Sequence, residues 1–226
     1  MAGVEHYFSP SPGSRRRQRT VTLRLPDITL DLRTDRGVFS ADRIDPGTLL
    51  LLKHAPLPSP PAGNGTSGAT GRVLADVGCG YGPIAVTLGL RAPDATIWAV
   101  DVNERARELA TGNLVDAGVP VAGVGKRMDA GRARVCAPEE VPASLRLDAL
   151  YCNPPVRIGN EALDELLREW LGRLRPGGFA VLVMHKNLGA DSLVRRLAAA
   201  GTTPRRLAIG GGYRVLQLPA AGEADS

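Results

Sequence analysis

Asp76-Val77-Gly78-Cys79-Gly80-Tyr81-Gly82 begins inside a mostly apolar stretch, Val73 to Val77, and leads into Pro83-Ile84-Ala85-Val86, the start of a helical pattern. Glycines between a strand and a helix let the backbone turn tightly and approach a ligand closely. In the dinucleotide fingerprint G-x-G-x-x-G the third glycine falls where Pro83 stands, one position after Gly82, which disfavours a nicotinamide cofactor. Asp101 ends the next apolar run, nineteen residues after Gly82. A carboxylate there can accept hydrogen bonds from two ribose hydroxyls. Strand, loop, helix, strand and acid in this order predict an adenosine-containing cofactor.

Outward from this loop, short apolar runs alternate with helical patterns. Val73 to Val77, Thr96 to Val100, Leu147 to Cys152 and Phe179 to Met184 read as buried parallel strands, with helices over Pro83 to Leu90, Glu104 to Ala117 and Glu161 to Leu174. A weaker strand near Val121 to Met128 and a terminal pair, Arg206 to Ile209 and Tyr213 to Leu218, bring the number to seven. The fold class is α/β: a seven-stranded, mostly parallel, Rossmann-like sheet. Before it, Thr20 to Leu25 and Ile28 to Arg33 flank Pro26-Asp27 as a β-hairpin, and Asp45 caps a helix opened by Pro46. The expected organisation is a hairpin and helix extension over 1–55, a flexible linker or loop over 56–71, the main domain over 72–220 and a tail over 221–226.

The 226 residues suffice for a stable core without disulfides, and 43% hydrophobic with 23% charged residues excludes a wholly disordered or coiled-coil chain. The longest apolar run, Phe179 to Met184, is too short to span a membrane, and the first twenty residues hold no secretory pattern, so the expected location is cytoplasmic. Cys79, Cys136 and Cys152 form no CxxC pair and no zinc quartet with His6, His54 and His185; no metal is expected. Six basic residues against Asp191 between His185 and Arg214 equal the whole net charge of +5. Such clustering suggests a polyanionic partner.

Asp148 to Cys152 runs directly into Asn153-Pro154-Pro155. Prolines stop the ladder and fix the backbone, so Asn153 and the Pro154 carbonyl are held at the carboxyl end of a central strand, beside the glycine loop. Two such acceptors suit an exocyclic amine, whose N–H groups they bind while its lone pair is aimed at an electrophile.

The glycine loop with Asp101 resembles motif I of class I S-adenosylmethionine-dependent methyltransferases. The resemblance implies that Asp76, Gly78 and Gly80 surround the methionine part of the cofactor, Asp101 the ribose and Asp129 the adenine amino group. Asn153-Pro154-Pro155-Val156 resembles the (N/D)PP(Y/F/W) signature of amino-methylating enzymes, with Val156 in the aromatic place. Phe39, Phe8 or another aromatic is then expected to supply stacking. His6 to Ser9, Gly37 to Ser40, Asp45 to Leu52, Leu174 to Gly178 and Gly212 to Leu216 extend the resemblance to the small-domain methyltransferase family that includes the bacterial 16S rRNA guanine-N2 methyltransferases of type C. It implies methyl transfer from S-adenosyl-L-methionine to an exocyclic nitrogen, guanine N2 in small-subunit rRNA, with rRNA or the small ribosomal subunit as partner. Asn153, Pro154 and Pro155 would be catalytic, Phe39, Arg157 and Arg214 would meet the substrate, and Arg15 to Arg19 would hold phosphates. Methylation of a protein glutamine or a small molecule, an NAD-dependent oxidoreductase and a non-catalytic nucleotide-binding module are the alternatives.

Overall fold

A computed structural model describes residues 18–60, 71–124, 131–154, 159–199 and 201–220. Strands β1 (Arg19–Arg24) and β2 (Thr29–Thr34) pair antiparallel across Pro26-Asp27, with Val21, Leu23 and Leu32 turned inward. Helix α1 (Pro46–His54) begins where Pro46 supplies a preset φ and the Asp45 side chain accepts from the Thr48 N–H. There follow β3 (Val73–Val77), α2 (Pro83–Arg91), β4 (Thr96–Val100), α3 (Glu104–Asp116), β5 (Ala133–Cys136), β6 (Leu147–Cys152), α4 (Gly159–Leu171), β7 (Leu174–His185), α5 (Ala190–Ala199), β8 (Arg205–Gly210) and β9 (Tyr213–Pro219).

The seven later strands form one sheet in the order β5-β4-β3-β6-β7-β9-β8, parallel except that β9 runs against both β7 and β8. From β3 the chain moves outward to β5, then returns to lay β6 on the other side of β3. At such a reversal the connections leave in opposite directions and open a crevice at the carboxyl ends of the strands. Gly78 follows β3 and Asn153 follows β6, so both stand at its edge.

Apolar side chains on the two sheet faces make two core clusters. One joins Leu74, Ile97 and Val181 to α2, α3 and the N-terminal extension, through Leu23, Leu32 and Leu51. The other packs Val77, Leu150 and Leu182 against Trp170 of α4 and Leu193 of α5. Polar ties reinforce the extension. Arg91 makes a two-pronged pair with Asp27 at 2.7 Å and donates to the Leu52 carbonyl, while buried Asn113 of α3 bridges both backbone groups of Arg33 to the Tyr81 carbonyl of the glycine loop.

Three expectations change. A strand of the main sheet lies at Ala133–Cys136; of the stretch Val121 to Met128 where one was expected, Val121 makes an isolated bridge to Ala133, Gly123 turns with φ +79°, and residues 125–128 lie outside the described residues. Helix α5 is an element that the apolar pattern did not predict. The linker expected from residue 56 begins as fixed chain, because the Pro56 carbonyl accepts from the Tyr151 hydroxyl at 2.7 Å and the Pro58 carbonyl from Arg72, itself paired with Asp94; residues 61–70 lie outside the described residues. Among the described residues no helix is long and apolar enough to cross a membrane.

Candidate active site

The glycine loop turns because Gly78, Gly80 and Gly82 adopt φ of +75°, +56° and +86°, a region that costs other L-residues about 1–2 kcal/mol. The Gly78 and Cys79 N–H groups donate to the Val100 carbonyl, which ties the loop to the end of β4. Asp101, one residue on, receives the Gly80 N–H on Oδ2 and the Asn103 N–H on Oδ1, each at 2.8 Å. A carboxylate offers about four acceptor positions, so two remain.

Loop and acid border a cavity of about 470 Å³, within the size range of small-molecule sites. Gly78, Gly80, Asp101, Asn153, Pro154 and Phe39 all line it. Asn153 enters from the end of β6, and its amide nitrogen donates to Asp45 Oδ1 at 2.8 Å and Thr48 Oγ1 at 2.9 Å. Phe39 stands at 53% exposure on a turn where Gly37 and Ser40 both have positive φ, and Ser40 is the one such non-glycine residue among the described residues. Strain of this kind persists where the surroundings enforce it.

Other expected residues fall elsewhere. Asp76 does not line the cavity; it is fully buried behind the loop, where its Oδ2 accepts from the Ala85 N–H in the first turn of α2. Its second oxygen has no partner among the described residues, and burial pushes the carboxyl up from 3.8 to about 8, with the Asp101 charge adding to the shift. Arg214 does not line the cavity either, because its guanidinium is held two-pronged by Asp191 of α5. Asp129 lies outside the described residues, and the strand it was expected to follow comes after it, so its assignment to adenine loses its basis; Pro138, just past β5, lines the cavity instead. Pro155 and Arg157 also lie outside the described residues, as do Phe8 and Arg15 to Arg17. Burial pushes the thiols of Cys79 and Cys152 upward, which keeps them protonated and unreactive. No group of three metal-binding side chains occurs among the described residues.

Sequence reasoning takes Asp45 as a helix cap, counts Thr48 only within the Asp45 to Leu52 stretch of the resemblance, and passes over Asn103 and Asn113. A capping carboxylate that must also serve a residue 108 positions away carries no local sign of it.

The switch-point cavity, the glycine loop and the strand-ending Asn-Pro define a methyltransferase of the Rossmann-like class. Residues 29–217 match the methyltransferase small domain, and the chain belongs to that family. It is 30% identical over 196 residues to YbxB of Bacillus subtilis, covering 85% of this chain and 87% of that protein. It is 32% identical over 168 residues to the ribosomal RNA small subunit methyltransferase C of Hahella chejuensis, covering 71% of this chain and 42% of the relative. Against the ribosomal RNA large subunit methyltransferase G of Shewanella amazonensis identity is 26%, over 85% of this chain and 46% of the relative. The chain thus spans less than half the length of these two rRNA methyltransferases. In fold it is similar to the T. thermophilus 16S rRNA N2 G1207 methyltransferase solved with AdoMet and guanosine, with a TM-score of 0.66 and 22% identity over 89% of this chain and 50% of that one.

The cofactor of this family is S-adenosyl-L-methionine, and the site fits it. Asp101 lines the cavity and has about two acceptor positions that the Gly80 and Asn103 N–H groups do not take up. A Cβ at Gly78 or Gly80 would meet no protein atom within 4 Å, leaving that space to a ligand.

Proposed function

We propose that this chain transfers a methyl group from S-adenosylmethionine to an exocyclic amino nitrogen, guanine N2 of ribosomal RNA. The observation that carries the proposal is the placement of Asn153 and Pro154 at the end of β6, in the wall of the same cavity that the glycine loop and Asp101 border. Bound there, the cofactor supplies a methyl group on a cationic sulfur. The chain's own part is orientation. The Asn153 side-chain oxygen and the Pro154 carbonyl accept the two N–H bonds of the amine, which draws its lone pair out of conjugation with the ring and toward the methyl carbon. Positive charge grows on the nitrogen as the new bond forms, and both acceptors strengthen at that moment. The proton leaves once the nitrogen is alkylated, when it is strongly acidic, so no strong base is required.

Phe39 takes the role of stacking platform in this reading, since it is the exposed aromatic at the cavity and Val156 stands in the usual aromatic position. The guanine and rRNA parts draw support from the names of the relatives, two of which are ribosomal RNA methyltransferases, and from a similar structure solved with guanosine.

The test is methyl transfer to unmodified small-subunit and large-subunit rRNA, with product nucleosides separated by mass. N2-methylguanosine is expected, and Asn153→Ala should lower turnover about 10²- to 10³-fold with cofactor affinity nearly intact. Methylated protein glutamine without modified RNA, or an Asn153→Ala variant as fast as the parent, would overturn the reading.

A further inference from the structure

The geometry points to Asp45 as the positioning residue that fixes Asn153 in its working orientation, with Thr48 as its second; this inference rests on the aminomethylation reading above. An Asn side chain has an acceptor end and a donor end, and only one of them serves an amine substrate. A carboxylate oxygen accepts and cannot donate. Asp45 Oδ1 at 2.8 Å therefore requires the NH₂ end of Asn153 to face α1, and Thr48 Oγ1 at 2.9 Å takes the second N–H. The amide oxygen is left toward the cavity. Turning the amide over would set carbonyl oxygen against carboxylate and forfeit the Asp45 bond; the Thr48 hydroxyl, which can donate as well as accept, follows whichever end Asp45 selects.

Capping alone does not account for the surroundings of Asp45. Its side chain is buried, and it receives donors from three elements: the Thr48 N–H of α1 at 2.9 Å, Asn153 after β6, and the Tyr213 hydroxyl of β9 at 3.3 Å on the other oxygen. An exposed water-facing cap would suffice for the helix. The Tyr213 ring is braced edge-on by His185 at 4.9 Å, and it lies so near α1 that a Cβ on Gly47 would fall 2.6 Å from the ring and 2.9 Å from Asp45 Oδ1. Gly47 thus admits the ring that closes the network. Donation to a charged acceptor also polarises the amide, which leaves its oxygen a stronger acceptor for the substrate N–H.

The experiment separates capping from positioning. Serine caps helices as well as aspartate does but is too short to hold Asn153 as well. Asp45→Ser should keep the cap of α1 and the cofactor affinity, lower the melting temperature through the acceptors lost to Asn153 and Tyr213, and cut kcat on rRNA about 10- to 100-fold, the range seen for side chains that orient metal ligands. The two Asn153 side-chain amide protons, followed by nuclear magnetic resonance of the protein alone, should exchange slowly in the parent and fast in the variant. In the Asn153→Ala background Asp45→Ser should cost nothing further, because the residue it serves is gone. Thr48→Val should slow turnover and Thr48→Ser should restore much of it; this pair decides the question if Asp45→Ser folds poorly. Parental kcat and slow amide exchange in Asp45→Ser, or effects of Asp45→Ser and Asn153→Ala that multiply, would overturn the positioning role and leave aminomethylation standing. An active Asn153→Ala would overturn both.

Discussion

Asp101 is the residue whose role can be weighed most directly. It lines the cavity with about two acceptor positions left over from the Gly80 and Asn103 N–H groups, and hydrogen bonds to a charged group contribute about 1.5–3 kcal/mol. Asp101→Ala is expected to weaken S-adenosylmethionine binding by about 10- to 150-fold in a calorimetric titration. Unchanged affinity would place the ribose elsewhere. Asp76 has the opposite character. With its carboxyl pushed up to about 8, the folded protein keeps a proton that the unfolded chain has released from about pH 4 upward. The stability Asp76 lends is therefore complete below pH 4 and is lost as pH rises toward 8. The melting-temperature difference between parent and Asp76→Asn should fall across that window; a difference independent of pH contradicts the raised value. Asn153 and Asp101 were legible in sequence because each ends a strand beside a motif that only ligand chemistry explains. The place of Asp76 was not. In a strand covered on both faces, alternation does not tell which side chains reach a cavity and which reach the next helix.

Elements repeat the contrast. Gly82 begins α2 at φ +86°, and a Cβ there would stand 3.1 Å from Ala110 of α3. Gly82→Ala should cost about 1–2 kcal/mol from the backbone alone, with a further loss where α2 and α3 part, measurable by urea unfolding. A neutral substitution would mean that the loop relaxes to negative φ. Asn113→Ala should lower stability by about 1–3 kcal/mol, since it leaves the buried Tyr81 carbonyl of the glycine loop and the part-buried backbone groups of Arg33 in β2 without their partner. Strands β3, β4 and β6 were readable because each is a five- or six-residue stretch with a single polar residue, Asp76, Thr96 or Asp148, among apolar ones, which admits few other structures. Strand β5 was missed because it has four residues with one strongly apolar side chain, Val135, whereas the richer stretch before it contains Pro120 and Gly123, which break a ladder. Helix α5 was not legible because Arg195 and Arg196 interrupt its apolar pattern and it buries only Ala190 and Leu193.

At the scale of the molecule the extension and the main sheet share one core, and Asp45 delivers a side chain from the first to the site of the second. Charge is divided differently from what composition implied. Of the six basic residues between His185 and Arg214, Arg196 is clamped by Asp164 and Arg214 by Asp191, so part of the cluster holds the fold together. Lys186 is exposed just past the carboxyl end of β7 and is tied by its backbone to Gly212, beside Tyr213; Arg43 is exposed two residues before Asp45. Neither lines the cavity: Arg43 stands between Ser40 and Asp45, which do, and Lys186 follows His185, which braces Tyr213. On the RNA substrate proposed above, the target base must be drawn out of the folded strand, and phosphate contacts supply much of the hold. RNA affinity should therefore fall steeply with salt. Changing Arg43 and Lys186 together to Gln should reduce the slope of log K against log salt by about 1–2, the loss of two phosphate contacts, without changing affinity for S-adenosylmethionine. Arg214→Gln should reduce it less than either single change, because Asp191 already neutralises that guanidinium. A slope lowered most by Arg214→Gln would show that the Asp191 pair opens to admit RNA, and binding insensitive to salt would remove the polyanion from the account altogether.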